Sequence, residues 1–410
     1  MSSLAEASGR AGLDELRRII RRIEASRPLR ATPEPLEHVV GGELVDTPAG
    51  RLVTVRREFP LTHHHGRWAL AHALEASPVV LRLIGRAEEA PAQARNLLFL
   101  DTETTGLAGG TGTYAFLVGV GYEEADRFIV VQFFMRDFDE EPALLTALEP
   151  LLQRASGIVT YNGSGFDVPL LETRFVMARR RWPATLGHLD LLRPCRRVWA
   201  PRLADCRLHT LEREVLGLVR EDDVPGALIP TLYFEFLKSR RAAPLARVFS
   251  HNRADILSLA GLLGWFTRAL ADDPGLDARP EELAGLGRLW ERQDRERSAG
   301  YYRAALDAGL DGPQARWVRL RLALWEKRLA RWDAACALWK AVAGADRFDP
   351  EPWQELAKYH EHRRRDFATA RRVVLEALDQ ARRACAAPAL IQDLMHRLSR
   401  LERRLGAVEA

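Results

Sequence analysis

Apolar positions along the chain follow two periods, and the switches between them mark out its parts. Residues 97–100 (LLFL) are apolar at every position, which predicts a short strand covered on both faces, and the next residues are Asp101 and Glu103. Residues 114–122 and 128–134 predict two further strands joined by a turn. Leu144, Leu145, Leu148, Leu151 and Leu152 recur at helical spacing within 140–155, residues 157–161 predict a fourth strand, and a helix starts near Asp167. Residues 250–263 predict a helix that turns Ile256, Leu259, Leu262 and Leu263 inward. Strands and helices in this order describe an α/β fold, a mixed sheet flanked by helices. Upstream, Leu13, Leu16, Ile19, Ile20 and Ile23 predict a helix over 12–25, followed by a proline-rich linker at 27–37 and a β-hairpin over 39–59. Beyond a linker at 271–280 the pattern is helical throughout. Leu322-Ala323 returns 34 residues later as Leu356-Ala357; Ala335, Trp339 and Ala343 follow the first pair, and Ala370, Val374 and Ala377 the second. The expected division is 1–95 as a helix and hairpin extension, 96–272 as the α/β domain and 280–410 as an all-α helical repeat domain.

Composition narrows the class. Of the residues, 47% are hydrophobic and 28% charged, as in soluble globular proteins. No apolar run is long enough to span a bilayer, and the N-terminus lacks the basic start and apolar core of a secretory signal. Cys195, Cys206, Cys336 and Cys385 form no CxxC pair, which fits a reducing, cytoplasmic location and gives no zinc signature. The net charge is +4, and residues 281–410 hold 25 basic against 20 acidic residues, a balance that permits an anionic partner. Arginine clusters at 179–181 and 363–365 suit phosphate contacts, although a high-GC coding bias accounts for them equally well.

Candidate chemistry begins at the end of the first strand. Strand alternation puts Asp101 and Glu103 on one face, where two desolvated carboxylates repel each other and a hard divalent cation relieves them. The bland alternative is an acidic loop leaving a strand. Asp167, at a strand-to-helix junction, is either a helix N-cap or a ligand. His251 and Asp255, four residues apart, share a helix face either as a satisfied buried pair or as part of a site. Asp190, His188 and His209 read as structural, as do the adjacent His63, His64 and His65, whose side chains diverge. The glycine-rich stretch 108–113 lacks the GK[ST] ending of a phosphate loop and reads as a tight turn. Trp317, Trp325, Trp332, Trp339 and Trp353 fall at helical spacing and read as core.

Taken together, DTETTGL, NGSGFD and HNRAD, in this order, resemble the three motifs of DnaQ-like (DEDD-type) exonucleases of the ribonuclease H-like superfamily, over residues 96–270. LDTETTGLAGGTGT, HLDLL at 188–192 and VPGALIP at 224–230 further resemble the bacterial YprB-type proteins, which join a ribonuclease H-like domain to tetratricopeptide-like repeats. The resemblance implies a metal-dependent 3′–5′ exonuclease acting on single-stranded RNA or DNA. Asp101, Glu103, Asp167 and Asp255 would hold two divalent ions, Mg2+ or Mn2+, and His251 would be the general base. One departure stands out. The His-containing branch has HxxxxD, whereas this chain has HxxxD, which leaves open whether His251 removes the proton or only orients the water. Two further readings remain at this point. One is a non-enzymatic nucleic-acid-binding adaptor whose repeats recruit a protein partner; the other is a structure-selective endonuclease.

Overall fold

The computed structural model describes residues 34–85, 89–106, 112–183, 186–271, 277–344 and 348–409. The helix expected over 12–25, most of the proline-rich linker, most of the glycine-rich turn at 108–113 and the middle of the linker at 271–280 lie outside the described residues.

Seven strands form one mixed sheet: β1 (Glu43–Thr47), β2 (Gly50–Pro60), β3 (Leu97–Thr104), β4 (Ala115–Glu124), β5 (Arg127–Phe134), β6 (Gly157–Thr160) and β7 (Gly187–Asp190). Their spatial order is β1-β2-β5-β4-β3-β6-β7. Pairing is antiparallel from β1 as far as β3 and parallel from β3 through β6 to β7. β3 therefore lies where the sheet changes character, the kind of place where open α/β sheets leave a crevice beyond their strand ends. Its first four residues are at most 2% exposed. Leu98 and Leu100 enter a core with Leu145 and Tyr233, while Leu97 and Phe99 enter a second core with Ile256 and Phe266. Burying each of these side chains contributes about 1.5–3 kcal/mol, which anchors the strand that carries Asp101 and Glu103.

The N-terminal hairpin is part of this sheet rather than an appendage to it. β2 pairs along β5, from Val53↔Phe134 to Pro60↔Arg127. The chain before it departs from the expected hairpin: Val39 lies in a short helix, α1 (Leu36–Val40), instead of a strand. Gly41 ends that helix at φ 62, and Arg57 donates to the carbonyls of Val40 and Gly41. β7 escaped the pattern because Leu189 is the one buried residue of its four, whereas β6, equally short, is buried throughout.

Helices α2 (Pro78–Ile84), α3 (Glu141–Arg154), α4 (Asp167–Met177), α5 (Leu192–Trp199), α6 (Ile229–Ser239) and α7 (Leu245–Leu270) cover the sheet. Beyond α7 the described chain is helical: α8 (Pro280–Trp290), α9 (Arg295–Asp307), α10 (Gly312–Arg328), α11 (Trp332–Ala343), α12 (Pro350–Lys358), α13 (Phe367–Arg383) and α14 (Pro388–Glu409). These helices pack in sequence, α8 on α9, α10 on α11, α12 on α13 and α13 on α14. The paired positions Leu322-Ala323 and Leu356-Ala357 are all buried, as are Trp339 and Trp353. α8 also packs on α5, where Trp199 Nε1 donates to Glu282 at 2.8 Å and a Cβ on Gly285 would stand 2.6 Å from the Val198 backbone. Among the described residues, no helix is long and apolar enough to cross a membrane, and all four cysteines are free thiols.

Candidate active site

The site is built around the end of β3. Asp101 stands opposite Gly119 of β4, which presents no side chain. Asn252 of α7 fills that space: a Cβ on Gly119 would lie 2.1 Å from Asn252 Oδ1. The buried Asn252 donates Nδ2 to Asp101 Oδ2 at 2.7 Å and to the Asp101 carbonyl at 3.2 Å. Its Oδ1 accepts from the equally buried Gln132 at 2.8 Å, and Gln132 also bonds the Phe249 carbonyl. Strand, helix and first carboxylate are thus locked by one amide relay. The register holds through Glu103 and shifts only after it, so the period-two placement of both acids survives.

Asp167 arrives from the parallel side of the sheet. It opens α4, and its Oδ1 accepts the hydroxyl of Thr102, the residue between the two β3 acids. Asp167 is not the helix cap; Phe166 holds that position, with no side-chain capping bond. The turn before it contains Asn162 at φ 64 and is braced by Asp190 at the end of β7. Asp190 accepts the N–H groups of Asn162 (2.8 Å), Ser164 (3.1 Å) and Leu192 (3.0 Å), as well as the Ser164 hydroxyl. Its expected structural role holds, and so does that of His188, whose Nε2 lies 2.8 Å from Thr160 Oγ1. His209 Nε2 lies 3.4 Å from the hydroxyl of its neighbour Thr210.

α7 brings His251 and Asp255 to the same place. His251 Nδ1 lies 2.8 Å from Asp223 Oδ1, and Nε2 lies 3.7 Å from Asp255 Oδ2. Arg220 closes the group. It grips Glu212 through Nε (2.8 Å) and Nη2, and the same Nη2 donates to Asp255. Its Nη1 reaches Asp223 at 3.5 Å and His251 Nδ1 at 3.3 Å. Behind it, Glu212 accepts the Ser258 hydroxyl, which lies 2.8 Å from His65 Nε2. Of the three adjacent histidines, His65 is thus a buried structural anchor.

The electrostatics record crowding. Burial, then Asp255 and Asp167, push the Asp101 carboxyl well above the usual carboxylate range. Glu103 is raised likewise by burial and then by Asp101, Asp255, Asp167 and Asp223. Asp167 is pushed up to about 6, chiefly by burial. Burial presses the His251 imidazole down, but the bond to Asp223 and the charge on Asp255 outweigh it, and the net shift is upward. Among the described residues, no three His, Cys, Asp or Glu side chains are gathered as ligands of one metal ion. Asp101, Asp167 and Asp255 are turned instead to Asn252, Thr102 and Arg220.

Residues 98–267, which hold every one of these groups apart from His65, match a family described as RNase_H superfamily. The chain is also 31% identical over 372 residues to the uncharacterised protein YprB of Bacillus subtilis (strain 168), covering 85% of each. The chain belongs to the YprB family within the ribonuclease H superfamily. Members of that superfamily generally hydrolyse nucleic acids and typically use divalent metals.

Five participants carried no signal in the sequence: Asn252, Gln132, Arg220, Glu212 and Asp223. Their partners lie between 3 and 151 positions away, and no period or motif links them all. The most readable clue was that Asn252 sits beside His251 within HNRAD. Asp101, Glu103 and Asp167 face a cleft of about 550 Å3, which Tyr161, Phe166 and Gly226 also line. Phe166 is 55% exposed at its edge.

Proposed function

We propose that the chain is a metal-dependent 3′–5′ exonuclease of single-stranded nucleic acid, with Asp101, Glu103, Asp167 and Asp255 as ligands of Mg2+ or Mn2+. The observation that supports this reading most is that Asp101, Glu103 and Asp167, acids from two elements, line one cleft in which burial raises all three and Asp255 from α7 raises Asp101 and Glu103 further. An all-oxygen donor set of this kind fits hard divalent cations. Bound there, such ions would supply Lewis acidity to a phosphodiester and acidity to its attacking water. The rest belongs to the protein. Asn252, Thr102 and Arg220 fix the rotamers of Asp101, Asp167 and Asp255.

His251 is the proposed base. The shorter of its two Nδ1 contacts is to Asp223, which assigns the Nδ1 proton to that bond and leaves the Nε2 lone pair on the side of Asp255. The HxxxD spacing is compatible with this role, since four residues along α7 put both side chains on one face. Phe166 offers an exposed ring on which a terminal base can stack. We further assign the helical region to the tetratricopeptide-like class, on the buried pairs repeated between α10 and α12.

The test incubates the protein with end-labelled linear and circular single strands, RNA and DNA, in Mn2+ or Mg2+. Shortening from the 3′ end with circles intact supports the proposal. Cut circles indicate an endonuclease, and binding without cleavage indicates an adaptor. Asp101→Asn abolishes cleavage while the thermal unfolding transition persists; full activity in that variant sinks the ligand assignment.

A further inference from the structure

Two cavities outside the active-site cleft share an unusual charge pattern. The first, about 480 Å3, lies between the outer strand β7 with α5 and the end of α8, and its lining includes Arg82, Arg193, Arg197 and Arg292. The second, also about 480 Å3, lies among α8 to α10 and is lined by Arg292, Arg295 and Arg328, among others. Arg292 belongs to both. At its other end the first cavity takes in Ser164, in the same turn whose Asn162, Gly165 and Phe166 line the active-site cleft. Three concavities thus adjoin in series.

Within the described residues, Arg82, Arg193, Arg197, Arg292 and Arg328 have no carboxylate partner, whereas Arg174, Arg202, Arg220 and Arg316 are all paired. Two of the lining acids are already spent. Asp190 accepts four donors of the 162–164 turn and α5, and Glu291 is taken by Arg321 at 2.9 Å and Tyr302 at 2.8 Å. Exposed arginines left unpaired beside saturated acids create a positive field in a confined space. A guanidinium fork matches phosphate oxygens. A folded protein partner would instead call for apolar anchors, and none of the exposed large apolar side chains among the described residues lines either cavity.

We propose that these cavities form one track for the sugar-phosphate backbone of a single strand. It runs from the cleft over the Asn162–Phe166 turn, past Arg193, Arg197, Arg82 and Arg292, to Arg295 and Arg328. The helical region then holds the body of the strand whose end is in the cleft. The inference rests on the nuclease reading for its direction, but its binding test does not.

The test reverses three charges together, Arg193→Glu, Arg197→Glu and Arg292→Glu, which breaks no ion pair within the described residues. Binding of fluorescein-labelled single strands of about 20 and about 3 nucleotides, sizes either side of a typical binding site, is followed by anisotropy in EDTA. The long strand is expected to lose at least about tenfold in affinity, and its log–log salt slope to shrink by about 2, three contacts at about 0.7 each. Turnover of the short strand in Mn2+ stays within about twofold of the parent. Unchanged long-strand affinity and slope overturn the track, and so does an equal loss for both lengths. Displacement of the long strand by polyglutamate of matched charge, at matched concentration, overturns it in favour of an acidic protein segment. If the parent cleaves nothing yet binds the long strand, and the variant does not, the nuclease reading fails and the track stands.

Discussion

Arg220→Met probes how the site is held together. Glu212, its partner, has a side chain only 2% exposed and makes two of its three side-chain bonds to Arg220, the third coming from Ser258. Removing one member of a buried ion pair leaves an uncompensated charge and costs about 3–5 kcal/mol. At about 2–4 °C per kcal/mol for a domain of this size, the unfolding midpoint should drop by roughly 6–20 °C. The variant Arg220→Met/Glu212→Gln removes the stranded charge and should recover a large part of that loss, giving a coupling energy well above the scatter of additive pairs, about 0.5 kcal/mol. The assay is differential scanning calorimetry in EDTA and again in Mn2+. Asp255 also loses its guanidinium, so the cluster gains negative charge, and Mn2+ should raise the midpoint of the single variant more than that of the parent. A midpoint within about 2 °C of the parent, or no recovery in the double variant, would refute the account of Arg220 as the buried counter-charge.

Two other perturbations read different parts of the framework. Gly119→Ala would place a Cβ 2.1 Å from Asn252 Oδ1 and 2.5 Å from Ile256 Cδ1. It should cost about 1–3 kcal/mol in urea unfolding and lower activity by displacing the amide that holds Asp101; wild-type values for both would remove Asn252 from the site's support. His65→Gln tests the anchor behind Ser258. Burial, then the charge on Arg220, lowers the His65 imidazole to about 4. Below its ordinary value near 6.5 the unfolded chain takes up a proton that the folded chain refuses, so stability from this group is lost as pH falls from 6.5 towards 4. The parent should lose about 1 kcal/mol per pH unit more than His65→Gln across that window, as read from urea midpoints; parallel curves would contradict a neutral buried imidazole.

What was legible in the sequence was whatever repeats locally. Period-two alternation put Asp101 and Glu103 on one face, and their register against β4 keeps them there. Spacing by four put His251 and Asp255 on one face of α7. Strands β3 to β6 were readable as apolar runs buried on both faces, and helices α3, α4 and α7 because each buries an apolar stripe against the sheet. The supports were unreadable for the opposite reason. Asn252 reaches Asp101 across 151 positions, and Gln132 reaches Asn252 across 120, because chain reversal and sheet register bring them together. Gly119 shows why this matters: alone it reads as a weak point in a strand, and only beside Asn252 does it become the space a polar relay needs. The acids that face the cleft are set by short-range geometry, while their orientation is set by residues that only the folded sheet assembles. A change at Gly119, Gln132 or Arg220 would leave all three acidic motifs intact in the sequence and still displace the carboxylates they contain.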